Sequence, residues 1–296
     1  MKHCSHKIVF GTANDSYTKR VYSPKKTASL QIKTNNFDCI LNNKLTESYH
    51  EGIRHYDTAI WYGTQSVLDK LLGDKPDIAF FTKLIFPSKW KLTEDGIFWS
   101  KLYDRHNESL LRKEFNDQYK LISTIADDDE LIRKSIYLFK LSFKKYLNHS
   151  KFKAIFIHDC DYDHINTVEL KQLLLKMSTE LKTLTHSIGL SNSIERVDLE
   201  EIIKYCLEEI GLSTIYLQED SELLIAKDME KYIAIIKCLK NKYKERLQIM
   251  AYSGSFIKKH CQNTPSEYDY IDYIIFKTHS NKSKRYIKDW VSNFLV

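Results

Sequence analysis

The sequence predicts an α/β fold, a closed (β/α)8 TIM barrel of eight parallel strands with a long insertion after the third. Three observations predict it. The chain has 296 residues, the usual size of such a barrel, which needs roughly 250. Eight short, continuous apolar runs read as strands buried on both faces, the pattern of a parallel sheet. Seven of these runs are followed by a segment whose apolar residues recur at helical spacing, as in helices that lie on a sheet. No G-x-G-x-x-G follows the first run, so an open, doubly wound dinucleotide-binding sheet loses its main support. The whole chain, 1–296, reads as one domain.

The first strand is Ile8-Val9-Phe10, ending in Gly11-Thr12. A basic stretch rich in Ser and Thr, 16–33, reads as a solvated loop, and a helical pattern runs over 37–52 with Gly52 as its stop. Strand 53–59 follows, then a short helix from Gly63 to Leu72, then a strongly apolar strand over 77–84. Ile132, Ile136, Phe139, Phe143 and Leu147 mark the next helical face, ahead of strand 152–158. Leu170, Leu173, Leu174, Met177 and Leu181 mark another, ahead of strand 186–191. Leu199, Ile202, Ile203 and Cys206 precede strand 213–218, and Tyr232, Ile235, Ile236 and Leu239 precede strand 247–252. The last strand, 273–277, leads to a closing helix over 283–295.

Residues 85–126 break this rhythm. The segment is too long for an ordinary connection, and it leaves the C-terminal end of the third strand, the face where barrel active sites lie. It is charged, yet it carries Trp90, Phe98, Trp99, Tyr103, Phe115 and Tyr119. We read it as a cover over a substrate pocket, with Trp90 and Trp99 among the lining residues. A surface elaboration with a small core of its own is the plainer reading.

Composition narrows the function. A net charge of +6 suits an anionic cofactor or substrate but is far from the concentrated basic face of a nucleic-acid binder. The six cysteines show neither a CxxC pair nor metal-ligand spacing, so no metal is expected and the thiols read as reduced and packed. No apolar stretch reaches 18 residues and no signal peptide is visible, so a cytoplasmic protein without a membrane partner is expected. Nothing in the sequence decides between a monomer and a homo-oligomer.

The chemistry gathers at strand ends. Asp57 ends the second strand, Lys83 the third and His158 the fourth, while Tyr62 lies in the loop just past Asp57. In a barrel these positions converge on one mouth. A lysine closing the apolar run Phe80-Phe81-Thr82-Lys83 is costly to bury without a partner, and Asp57 is the natural one. A phenol ionises near pH 10, so a tyrosine that donates protons at neutral pH needs a nearby cation. Lys83, held by Asp57, would supply that cation to Tyr62, and His158 would orient a carbonyl oxygen or share the proton transfer. Each has a plainer reading: a helix cap for the Asp-Thr-Ala, a snorkelling lysine, a core histidine. The shared strand-end register favours the set.

With these residues in place, the sequence resembles the aldo-keto reductase superfamily. The resemblance rests on Glu51-Gly-Ile-Arg-His-Tyr-Asp-Thr-Ala-Ile-Trp-Tyr-Gly63, Phe81-Thr-Lys83, Ile155-Phe-Ile-His158 and Ser187-Ile-Gly-Leu-Ser-Asn192. It implies a catalytic tetrad of Asp57, Tyr62, Lys83 and His158, with Tyr62 as general acid or base and hydride exchanged with a nicotinamide. It implies that Ser191, Asn192 and Gln218 hold the cofactor's carboxamide and that Tyr252 stacks on its ring, with Thr12 and Ser253 also on the cofactor. Trp61 would project from the Tyr62 loop toward substrate. The run Lys277-Thr278-His279-Ser280-Asn281-Lys282-Ser283-Lys284-Arg285 mixes four cations with hydroxyls ahead of a helix, which suits a phosphate cradle or a solvated helix start. The resemblance places the adenosine phosphate of NADP there, on Lys277, Thr278, Ser280 and Arg285, so NADP(H) is expected over NAD(H).

The substrate implied is a small carbonyl compound or sugar. The long third loop, Ile157-His-Asp-Cys-Asp161 and Ala126-Asp-Asp-Asp-Glu-Leu-Ile-Arg-Lys-Ser135 look most like the branch that oxidises aldoses such as threo-aldoses, fucose and galactose. Three departures bear on cofactor binding. Gly63-Thr64-Gln65-Ser66 lacks the glutamate usual after the tyrosine, Leu184-Thr-His-Ser187 lacks the glycine usual before the fifth strand, and the segment between Ser253 and Tyr273 is short. A nicotinamide-binding barrel with weak turnover and a regulatory role is the alternative that these departures favour.

Overall fold

The computed structural model describes residues 7–12, 31–59, 64–85, 133, 151–158, 167–185, 187–191, 198–220, 230–252 and 268–277. Eight strands form a closed barrel in sequence order. They are β1 Lys7–Gly11, β2 His55–Asp57, β3 Ala79–Ile85, β4 Phe152–His158, β5 Ser187–Ser191, β6 Thr214–Asp220, β7 Leu247–Tyr252 and β8 Tyr273–Lys277. Every pairing is parallel, and β1 closes the ring against β8 from Lys7↔Tyr273 to Gly11↔Lys277. The described helices are α1 Gln31–His50, α2 Gln65–Leu72, α3 Thr167–Glu180, α4 Leu199–Lys204 and α5 Glu230–Tyr243.

Strand side chains alternate between two cores because successive residues face opposite sides of a sheet. Phe10, Tyr56, Phe80, Ile155, Ile215 and Ile249 share one cluster with helix residues such as Leu41, Leu68, Leu174, Ile202 and Ile236. The other cluster holds only strand residues: Val9, Phe81, Ala154, Phe156, Tyr216, Met250, Tyr273 and Ile275. Within it the Phe81 ring meets Tyr216 at 5.5 Å and Tyr273 at 5.4 Å between centroids. Those rings come from strands that are not neighbours of β3, so they meet across the barrel interior. Gly189 lies opposite Phe156 in the β4–β5 ladder, and a Cβ there would run into the Phe156 ring. The interior is therefore filled with side chains, as expected for eight strands.

Some boundaries differ from the sequence expectation. Helix α1 starts at Gln31, inside the stretch read as a solvated loop; Gln31 to Asn36 are mostly polar, so no apolar periodicity marks the start in the sequence. Strand β2 keeps three residues of the expected 53–59. Helix α4 continues as a π-turn over Tyr205–Glu209, where the Ile210 amide donates to the Tyr205 carbonyl at 2.9 Å. In that turn burial pushes the Cys206 thiol up to about 12, so it packs as an inert apolar group. The helical expectation over 132–147 lies outside the described residues except for Arg133, which is helical. The insertion beyond Ile85 and the closing helix over 283–295 also lie outside them. Among the described residues, no helix is long and apolar enough to cross a membrane. Among them too, no group of three or more His, Cys, Asp and Glu side chains could hold a metal ion.

The N-terminal end of the interior holds His55, stacked on Phe81 and edge-on to Tyr273. Burial first, and then the charges of Lys7 and Lys153, lower its pKa from 6.5 to about 4. The unfolded chain therefore takes up a proton near 6.5 that the folded chain accepts only near 4. Stability from this residue is present above about pH 6.5 and drains away as the pH falls toward 4, by about 2–3 kcal/mol after allowing for residual exposure. Unfolding free energies from urea titrations at pH 7 and pH 4 are expected to lie closer together in His55→Phe than in the wild type, by about 2–3 kcal/mol. An unchanged gap would refute the assignment.

Candidate active site

Parallel strands in a closed barrel deliver all their C-terminal ends to one mouth. Asp57, His158, Ser191, Tyr252 and Lys277 are the last residues of β2, β4, β5, β7 and β8, while Lys83 and Gln218 each lie two residues before the end of β3 and β6. The alternation sets which of these face inward. Lys83 is in step with Phe81, and Gln218 with Tyr216, both members of the interior cluster. His158 and Lys277 hold backbone positions in step with Phe156 and Ile275.

Lys83 and Asp57 lie together at this mouth, 2 % and 3 % exposed. The ammonium donates to Asp57 Oδ1 and also lies 3.5 Å from the Thr58 carbonyl. Burying either charge alone would cost several kcal/mol, so each requires the other. Gln218 Nε2 donates to the same carboxylate oxygen at 3.5 Å, and its Oε1 is buried with no hydrogen-bond partner among the described residues. A buried carbonyl left unpaired costs about 1–3 kcal/mol, so this oxygen is poised to accept from a donor brought by a ligand. Ser191, buried, pairs with Gln218 across the β5–β6 ladder. Tyr252 is half-buried at the end of β7 and packs against the interior cluster, whose rings form an apolar floor under the charges.

Thr12 is buried, and its hydroxyl is engaged inside the protein rather than at an open surface. It donates to the Asp57 carbonyl at 3.0 Å and lies 2.9 Å from Thr64 Oγ1, which is in turn 3.0 Å from Thr58 Oγ1. Thr58 and Thr64 fall within the motifs quoted above, yet no role for their hydroxyls follows from the sequence, because no spacing marks which hydroxyls meet when buried. Two other tyrosines on the strands are poor proton donors. Burial raises Tyr56 from 10 to about 12, and burial together with Tyr273 pushes Tyr216 up as well. Tyr62, Trp61, Trp90, Trp99, Asn192, Ser253, Thr278, Ser280 and Arg285 lie outside the described residues, as do the side chains of His158 and Lys277.

No family model and no curated protein matches the sequence. Solved structures do match. A thermostable aldo-keto reductase, Tm1743, determined with the inhibitor epalrestat, aligns over 97 % of this chain and 88 % of its own, at 14 % identity and a TM-score of 0.52. The barrel has the aldo-keto reductase fold. Two further matches are an aldose reductase from Giardia lamblia and an aldo-keto reductase from Brucella melitensis. The first covers 100 % of this chain and 87 % of its own at 10 % identity and a TM-score of 0.48. The second covers 95 % and 86 % at 15 % and 0.43. At these identities the likeness is one of architecture, and the buried pair at the mouth is a property of this chain's own residues.

Proposed function

We propose that the protein is an oxidoreductase that moves hydride between a nicotinamide cofactor and a small aldehyde, ketone or aldose. The observation that carries the reading is the buried Lys83–Asp57 pair at the C-terminal mouth of the barrel. A dry ammonium there stabilises negative charge on a neighbouring oxygen, which is what a tyrosine needs to give up its proton near neutral pH. Tyr62, five residues beyond Asp57, is the proposed donor, and His158 at the end of β4 is proposed to hold the substrate oxygen. The nicotinamide, when bound, supplies or accepts the hydride.

The donor set at the mouth fits that group. The Gln218 Oε1, without a hydrogen-bond partner among the described residues, suits the amide hydrogens of a carboxamide, with Ser191 opposite Gln218 in the ladder and Asn192 next to Ser191 in sequence. Tyr252 would offer its ring face to the nicotinamide. The basic run that begins at Lys277 favours NADP(H) over NAD(H), through Thr278, Ser280 and Arg285 on the extra phosphate. The aromatic insertion and Asp159-Cys160-Asp161 point to an aldose among the carbonyl substrates. Fluorescence titration with NADPH and NADH, followed by turnover on a panel of aldehydes and aldoses, tests the reading. We expect NADPH to bind more tightly than NADH, with measurable turnover. No binding of either cofactor would sink it.

A further inference from the structure

Three threonine hydroxyls lie buried beside the charged pair, among them Thr12, which the family resemblance also sets near the cofactor. Thr12, Thr58 and Thr64 are 0 %, 0 % and 1 % exposed. Their order along the chain is informative. Thr58 follows Asp57, Thr64 is the residue before α2, and the five residues between them include Trp61 and Tyr62.

The direction of each hydrogen bond follows from counting protons, since a hydroxyl has one to give. A carbonyl can only accept, so Thr12 donates to the Asp57 carbonyl. Thr64 must then donate to Thr12, and Thr58 to Thr64. Every hydroxyl proton in the chain is used, and the last acceptor is the peptide of the residue that holds Lys83. The Thr12 amide reaches the same carbonyl at 2.9 Å. The chain thus draws both ends of the 58–64 segment together and ties them to β1 and to Asp57. The Thr64 carbonyl also accepts from the Leu68 amide at 3.0 Å, which fixes Thr64 to the start of α2.

We infer that Thr64, with Thr12 and Thr58, is a positioning residue for the tyrosine loop, setting where Tyr62 stands relative to Lys83. This rests on the proposed role of Tyr62. None of the three hydroxyls needs to touch substrate. Their effect is on geometry, and a displacement near 1 Å in a reacting group costs about a hundredfold in rate.

The test compares Thr64→Val with Thr64→Ser. Valine matches the shape without the hydroxyl and leaves the Thr58 proton without its acceptor, whereas serine restores the chain. In Thr64→Val kcat is expected to fall about 10- to 100-fold while KM and NADPH affinity stay within about twofold, and Thr64→Ser is expected to recover to within about threefold. The basic limb of the kcat profile should also move to higher pH in Thr64→Val, because a phenol held farther from the ammonium ionises less readily. A parallel readout does not depend on turnover. Amide hydrogen exchange in peptides covering 58–64 should accelerate in Thr64→Val and not in Thr64→Ser. Should Thr64→Val fail to fold, Thr58→Val replaces it, since removing the terminal donor leaves the Thr64–Thr12–Asp57 links intact. Unchanged kcat, or unchanged exchange in the valine variant, overturns the inference. A wild type without turnover refutes the proposed function instead, and exchange then decides the role of the threonines.

Discussion

Tyr62→Phe is expected to lower kcat about a thousandfold while NADPH affinity stays within about twofold of the wild type. The substitution removes one oxygen and leaves the ring, so the Lys83–Asp57 pair is untouched. The effect is large because two other strand tyrosines, Tyr56 and Tyr216, are poor substitutes as proton donors. Tyr56 faces the helices with its pKa raised to about 12, and Tyr216 is pushed up within the apolar floor, so neither exchanges a proton readily at neutral pH. Steady-state turnover on the best aldehyde of the panel, with cofactor fluorescence measured in parallel, separates loss of proton transfer from loss of binding. Turnover within tenfold of the wild type would reject Tyr62 as the acid and leave His158 as the candidate donor.

The barrel was legible because its strands are buried on both faces. Phe152–His158, Leu247–Tyr252 and Tyr273–Lys277 have the boundaries that their apolar runs predict. Where a segment is polar and its order comes from elsewhere, the sequence says less. Helix α1 begins in Gln31-Ile-Lys-Thr-Asn-Asn, which has no apolar stripe to betray it. The Lys83–Asp57 pairing was readable because a lysine closing an apolar strand demands a counter-charge. The Gln218 bond to that same carboxylate was not readable, since Gln218 and Asp57 are 161 residues apart. The threonine chain was hidden for a related reason. Hydroxyls meet through three-dimensional packing, and Thr12 and Thr64 are 52 residues apart with no periodicity linking them.

Asp57→Asn is expected to destabilise the fold by about 3–5 kcal/mol, because it leaves the Lys83 ammonium buried without its counter-charge. Asparagine keeps the shape and still offers an oxygen to Gln218 Nε2, so packing and the neighbouring hydrogen bond contribute little to the loss. The informative comparison is the double variant Asp57→Asn/Lys83→Met. Methionine has nearly the length of lysine without its charge, and it would extend from the same face of β3 as Phe81, a member of the apolar interior cluster. Replacing a buried ion pair by apolar groups is often neutral or stabilising, so the double variant should regain most of what the single variant loses. Urea midpoints for the four members of this cycle measure the coupling, and turnover measured on the same proteins should remain abolished in all but the wild type. Recovery of stability without activity would mean that the pair is kept for the charge it places at the mouth. A double variant as unstable as the sum of the two singles would mean instead that the two side chains are uncoupled and each stabilises the fold on its own, and the pair would then lose its weight as a sign of chemistry.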